Sequence, residues 1–180
     1  MYESPRNRRL RADRDALRRL AGESTILAID DPGDGVAPER WALTFRGVGL
    51  WRDDGGAVHD RHEHVVEVGL GPEYPRQRPD LLWVTPLFHP NVSANGRVCL
   101  GGYSTHWAPS LRLDGLCEML WDMLRYANFD VRSPYNLLAA RWAERQPGAH
   151  FPVDRRPLRD RLAGARGPAV PPAPTVRFRT

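Results

Sequence analysis

An α+β fold is predicted, with a helix leading into a four-stranded antiparallel meander, then a long loop and further helices, on three observations. The chain opens on an Arg- and Leu-rich stretch free of helix breakers. Four strand-like segments follow, and the connections between them are too short for crossover helices, which makes neighbouring strands antiparallel. Helical periodicity returns only after an extended interval that shows neither the helical nor the strand period.

The first helix begins at Pro5 and meets no further breaker until Gly22. Leu10, Leu17 and Leu20 fall near one face and seven arginines cover much of the rest, so a surface helix with a narrow apolar stripe is expected. Its basic face is either solvated or a docking surface for an acidic partner. Strands are expected over residues 24–30, 41–50, 62–70 and 81–85, bounded by turns such as Asp31-Pro32-Gly33 and Asp53-Asp54-Gly55-Gly56.

Residues 86–110 carry loop chemistry only, including Pro86, Pro90, Asn95, Gly96 and Pro109, and a loop of this length inside a domain is more often functional than accidental. The spacing of Leu113, Leu116, Leu120, Met123 and Leu124 then predicts a buried helix over 114–126, and another helix is expected over 135–145. From residue 146 the composition shifts to Pro, Arg, Ala and Gly. The chain is therefore divided into a catalytic domain, residues 1–145, and a largely irregular extension, residues 146–180, with at most a short docked turn near 158–162.

A length of 180 residues suits one domain with a real core. No apolar run approaches the roughly 20 residues of a membrane span, and the Arg-rich opening does not read as a secretory signal, so a cytoplasmic protein is expected. Only Cys99 and Cys117 are present, too few for a disulfide framework or a cysteine zinc site. Cys117 lies on the apolar stripe of the central helix and reads as an inert core thiol.

All 26 cationic residues are Arg, and Lys is absent. A GC-rich genome accounts for this at the level of codons. The chemical reading is that an enzyme presenting an activated acyl group to lysine amines keeps its charge in guanidinium groups, which are not nucleophiles at ordinary pH.

Within the long loop, His89-Pro90-Asn91 precedes Cys99 by eight residues, and Trp107 follows eight residues later, in Trp107-Ala108-Pro109. Tyr74-Pro75 lies upstream, Asn95-Gly96 lies between, and Ser133-Pro134-Tyr135-Asn136 follows the central helix. Any one of these is weak; in register, they make residues 5–145 resemble the ubiquitin-conjugating enzyme family. The resemblance implies the fold of that family and a thioester-carrying activity. Cys99 would take a ubiquitin-like modifier from an ATP-dependent activating enzyme and pass it to a target amine, with no cofactor needed for the transfer itself.

The resemblance further implies that Asn91 steadies the loop or donates to the oxyanion. Ser133, or Asp130 given extra residues after Asn128, would stand at the gate through which the amine enters. His89 and Pro90 are read as architectural and Trp107 as packing beneath the loop. Arg8, Arg9 and Arg11 of the first helix are the expected docking residues for the activating enzyme. Two departures stand out: Gly101 replaces an acid that many relatives carry, and Arg76 replaces a hydrophobic residue that often docks RING-type ligases.

Three alternatives are weaker. A cysteine hydrolase would pair Cys99 with His89 or His106, but Cys99 precedes Leu100-Gly101-Gly102, a loop, where such enzymes place the nucleophile at a helix start. A noncatalytic scaffold would keep the fold to bind a modifier or partner enzyme, and would not need Cys99. A metal site around His59, Asp60, His62, Glu63 and His64 lacks a fixed further ligand, so no metal is expected. The arginines suggest no specific nucleic-acid motif. The Lys-free composition is similar to bacterial conjugating enzymes that accompany ubiquitin-like modifiers in antiphage operons, which would add a JAB-type protease to the pathway.

Overall fold

A computed structural model describes residues 3–31, 33, 35, 37–100 and 107–164. Helix α1 spans Pro5–Gly22; Ser4 caps it by accepting from the Asn7 amide, and Pro5 occupies a first-turn position where its missing N–H costs nothing. Four strands follow, β1 (Leu27–Ile29), β2 (Arg40–Arg52), β3 (Val58–Gly69) and β4 (Asp80–Trp83), hydrogen-bonded in chain order and antiparallel throughout. Helix α2 spans Leu113–Leu124, α3 Leu137–Glu144 and α4 Asp160–Gly164. Among the described residues no helix is long and apolar enough to cross a membrane.

Strand alternation sets the core. Leu43 and Phe45, Val66 and Val68, and Leu81 and Trp83 point to one face of the sheet, where they meet Leu17 and Leu20 of α1 and Leu116, Leu120 and Leu124 of α2. The ladder between β2 and β3 shifts register between Arg46 and Gly49. At Gly47 a Cβ would come within 2.3 Å of the Trp121 ring, so only glycine lets β2 pass over the central helix there. Cys117 is fully buried in this core, and desolvation pushes its thiol well above the usual range, as its place on the apolar stripe implied.

The first helix is tied to the far end of the long loop by a buried polar junction. Asp13, wholly inaccessible, accepts from Arg9 Nε at 2.7 Å, from the Tyr74 hydroxyl, and from the Leu113 amide at 3.1 Å. Its carboxylate thereby caps α2, whose own N-cap residue, Arg112, offers no side-chain bond. Arg9 also donates to the carbonyls of Pro109 and Leu111.

Beyond residue 145, where the largely irregular extension is expected to begin, several side chains pack on the body of the protein. Phe151 stacks on Tyr126 with centroids 4.7 Å apart, Leu158 is buried in the main core, and Trp121 donates to the Arg156 carbonyl at 2.9 Å. Arg159 reaches Glu118 at 2.8 Å and Asp114 at 3.1 Å, and also pairs with Glu23. The composition of this stretch is poor in apolar residues, but Phe151, Val153 and Leu158 pack against the body, and its backbone bonds to Trp121, Arg125 and Glu23. The Pro-rich stretch beyond residue 164 lies outside the described residues.

Candidate functional site

The segment His89-Pro90-Asn91 is the clasp of the site. His89 is completely buried; its Nδ1 accepts from the Asn91 amide at 3.1 Å and its Nε2 meets the Asn128 carbonyl at 3.2 Å. Both ring nitrogens are thus committed in the neutral form. Burial pulls the imidazole down to about 3, against the opposing pull of the Asn128 hydrogen bond. An imidazole held this way has no nitrogen left to polarise a thiol, which removes His89 as a partner in a hydrolase dyad; His106 lies outside the described residues.

Pro90 accepts from the amides of Tyr135, at 2.8 Å, and Asn136, at 2.9 Å. The Asn91 side chain makes a two-point bond with the backbone of Asp130, Nδ2 donating to its carbonyl at 2.9 Å and Oδ1 accepting from its amide at 2.7 Å. Three consecutive residues therefore pin the segment from Asn128 to Asn136 beside the loop. The same Asn91 accepts from the Cys99 amide at 3.0 Å through its carbonyl. The two sides of the site meet in this one residue.

Cys99 is partly exposed. It follows a short turn in which Val92 and Val98 bridge and Gly96 accepts from the Trp83 amide at 2.7 Å. Gly96 has φ +80°, and a Cβ there would come within 2.1 Å of the Trp83 carbonyl, so glycine is what allows the turn to lie against β4. Buried Val98 and Leu100 anchor the chain on either side of the partly exposed Cys99.

Ser133 is exposed on the clasped segment. The Asp130 carboxylate instead turns back to accept from the Arg132 amide at 2.8 Å, a local cap that shapes the turn. Trp107 donates to the Pro75 carbonyl at 3.0 Å and lies 5.7 Å from the Tyr74 ring, so it ties the far end of the long loop to the Tyr74-Pro75 turn. Gly101 lies outside the described residues. Arg76 is highly exposed.

Arg9, one of the three expected docking residues, is engaged mostly within the protein. The side chain turns inward onto Asp13, Tyr74, Pro109 and Leu111, and little of it reaches solvent. Arg8 and Arg11 remain on the exposed face, Arg11 paired with Glu3. The imagined metal set is also not assembled: His64 is buried, His62 is exposed, and His59 bonds Asp53 at 2.7 Å. Among the described residues no cluster of metal-ligating side chains occurs.

Sequence reasoning missed the aromatic support beneath the clasp. Tyr126 is buried, donates to the Phe88 carbonyl at 2.6 Å, and packs against His89, Phe129, Trp142 and Phe151. The density of aromatic residues between 126 and 151 was the signal available.

A profile of the family described as ubiquitin-conjugating enzyme matches residues 41–151. The chain belongs to the ubiquitin-conjugating enzyme family. Among curated relatives, ubiquitin-conjugating enzyme E2 16 of Schizosaccharomyces pombe is 30% identical over 122 residues, covering 67% of this chain and 71% of that protein. Ubiquitin-conjugating enzyme E2 13 of the same organism is 29% identical over 138 residues, 73% of this chain and 88% of that protein. A solved Toxoplasma gondii ubiquitin conjugating enzyme E2 domain superposes with a TM-score of 0.53 at 21% identity, over 76% of this chain and 85% of that one. That likeness establishes the shared fold. As a family member this chain has the expected α+β architecture of helix, meander, loop and helices.

The neutral, buried histidines predict acid lability. Besides His89, His64 is fully buried with its pKa drawn down to about 4, chiefly by desolvation. A folded-state pKa below the ordinary 6.5 means that the unfolded chain binds the proton more tightly, so stability is intact above 6.5 and is lost as pH falls toward 4 and then 3. Urea midpoints should therefore drop steadily between pH 7 and pH 4. His89→Asn, which does not titrate, should show a shallower slope than the unaltered protein.

Proposed function

We propose that this protein accepts the C-terminal carboxyl of a ubiquitin-like modifier as a thioester on Cys99 and transfers it to an amine of a target protein, lysine being the natural acceptor. The observation that carries this reading is a partly exposed Cys99 whose backbone is held by Asn91, while the side chain of the same residue holds the segment bearing Ser133.

In the transfer step, the unprotonated amine attacks the thioester carbonyl, the C–S bond breaks, and an amide forms. The sulfur leaves as thiolate or thiol, and the proton lost by the nitrogen passes to it or to solvent. Ser133 receives the incoming amine by position, and Asn91, whose amide retains a second N–H, holds the clasp and donates to the oxyanion. Asp130 acts on the turn itself through its cap on Arg132.

The activating enzyme meets the exposed face of α1 at Arg8 and Arg11. Arg8→Glu with Arg11→Glu should slow charging in a single-turnover assay more than discharge from a preformed adduct; equal slowing of both steps would defeat this assignment. The Lys-free surface spares the protein from modifying itself. With that composition it supports a cytoplasmic, bacterial setting beside an antiphage modifier system that includes a JAB-type protease.

The experiment is incubation with activating enzyme, modifier and ATP, followed by electrophoresis without reductant. The adduct should be present in Cys117→Ala, absent in Cys99→Ala, and lost on adding thiol. A protein that binds modifier and partner enzyme equally well in Cys99→Ala, with no adduct in any variant, would be a scaffold.

A further inference from the structure

Two separate apolar clusters meet at the site. Val98 and Leu100, which flank Cys99, belong to the main core. Phe129 and Val131, which flank Asp130 in the clasped segment, pack instead into a second, smaller cluster with Tyr126, Trp142 and Phe151. The sulfur and the segment bearing Ser133 therefore rest on different supports. Residues 88–91 join the two, through Asn91 on one side and through Phe88 and His89 on the other.

Tyr126 stands at the centre of the second cluster, and its backbone sets it apart. It follows the end of α2 with φ +60°, a left-handed conformation in which helices usually end on glycine and which strains a bulky residue. The amides of Ala127 and Asn128 then both return to the Asp122 carbonyl, at 2.8 Å and 3.0 Å, and the Asn128 carbonyl meets His89. Glycine would make this turn without strain; tyrosine adds a side chain that reaches both banks of the site. Its hydroxyl donates to the Phe88 carbonyl at 2.6 Å, one residue ahead of the clasp, while its ring lies 4.9 Å from His89 and 5.4 Å from Phe129. Phe151 backs that ring, stacked on it at 4.7 Å and 9°, and lies 5.4 Å from Phe129 as well. The segment carrying Phe151 is fixed in turn by the Val153 amide on the Arg125 carbonyl at 2.9 Å and by the Arg125 guanidinium on the Asp154 carbonyl at 3.1 Å.

Building on the transfer reading above, we propose that Tyr126, backed by Phe151, is a positioning residue for discharge: its one side chain sets the spacing between the clasp and the segment bearing Ser133, and so the path by which the acceptor amine reaches the Cys99 thioester. The bonds from His89 and Asn91 lock that segment once it stands at the right distance, and the aromatic cluster supplies the distance. This gives the stretch after residue 145 a part in the reaction. Charging draws on the sulfur and the main core, and does not draw on the second cluster.

Three variants test this. Tyr126→Phe removes the bond to Phe88 and leaves the ring, Phe151→Ala removes the backing, and Phe151→Tyr keeps it. Each is charged with modifier, and the adduct is discharged to free lysine over a range of concentrations. Tyr126→Phe should lower the limiting discharge rate by about threefold to tenfold, the effect of one hydrogen bond. Phe151→Ala should lower it by about tenfold to 10²-fold, as a misplaced approach does. In both, the charging rate and the lysine concentration at half-saturation should change by less than about twofold, because the loss lies in positioning and not in binding. Phe151→Tyr should behave like the unaltered protein. Amide exchange at Asp130 should quicken in the two slowed variants, and exchange at Cys99, whose amide bonds the Asn91 carbonyl at 3.0 Å, should not. Discharge at the unaltered rate in Tyr126→Phe and Phe151→Ala overturns the proposal, as does equal slowing of charging and discharge, which would make the cluster a structural support alone. If Phe151→Ala does not fold, Tyr126→Phe decides by itself. Failure of the unaltered protein to form any Cys99 adduct would instead refute the transfer reading.

Discussion

Replacing Asn91 with alanine is expected to slow discharge of the Cys99 adduct by about 10²-fold to 10³-fold, the range seen when one oxyanion donor is removed. The substitution also deletes both bonds to the Asp130 backbone, at 2.9 Å and 2.7 Å, and with them the clasp on the segment carrying Ser133. Hydrogen exchange at the Asp130 amide should accelerate in parallel, because that N–H loses its acceptor. Asn91→Asp keeps an acceptor for that amide but no donor for the carbonyl, and should fall between the two. Charging, which does not need the clasp, should be affected less. Unaltered discharge in Asn91→Ala would remove the residue from the mechanism.

Asp13→Ala is expected to destabilise the protein by about 3–5 kcal/mol, the cost of leaving one partner of a buried charged pair uncompensated. The loss is not confined to Arg9, which is itself mostly enclosed. Tyr74 loses its acceptor and the first turn of α2 loses its cap on Leu113. Asp13→Asn, which retains acceptor capacity without the charge, should recover part of the loss. Chemical denaturation midpoints measure both. A change below about 1 kcal/mol, the level of an exposed pair, would show that the junction is solvated.

Much of the site was legible because its parts are local in sequence. His89-Pro90-Asn91, Gly96, Cys99 and Trp107 lie within one stretch, and each has a steric or bonding reason to keep its spacing, such as the absence of room for a Cβ at Gly96. The sheet was legible from alternation, although β2 runs two residues past the expected Leu50 because Gly47 and the register shift let it continue over Trp121. Arg9 was not legible. An arginine on an exposed helix reads as solvated, and its acceptors on Pro109 and Leu111 lie 100 and 102 residues away. Composition likewise hid the packing of Phe151, while the turn at Leu158 was expected to dock, since a chain poor in apolar residues can still dock when those few meet a ready surface.

Whether the modifier rides on one particular sulfur is best decided by mapping the charged protein. After reaction with activating enzyme, modifier and ATP, acid quenching and peptide mass analysis without reductant should find the modifier's terminal residue joined to the peptide holding Cys99 and nowhere else. Attachment at Cys117, or an adduct stable to thiol, would contradict the account.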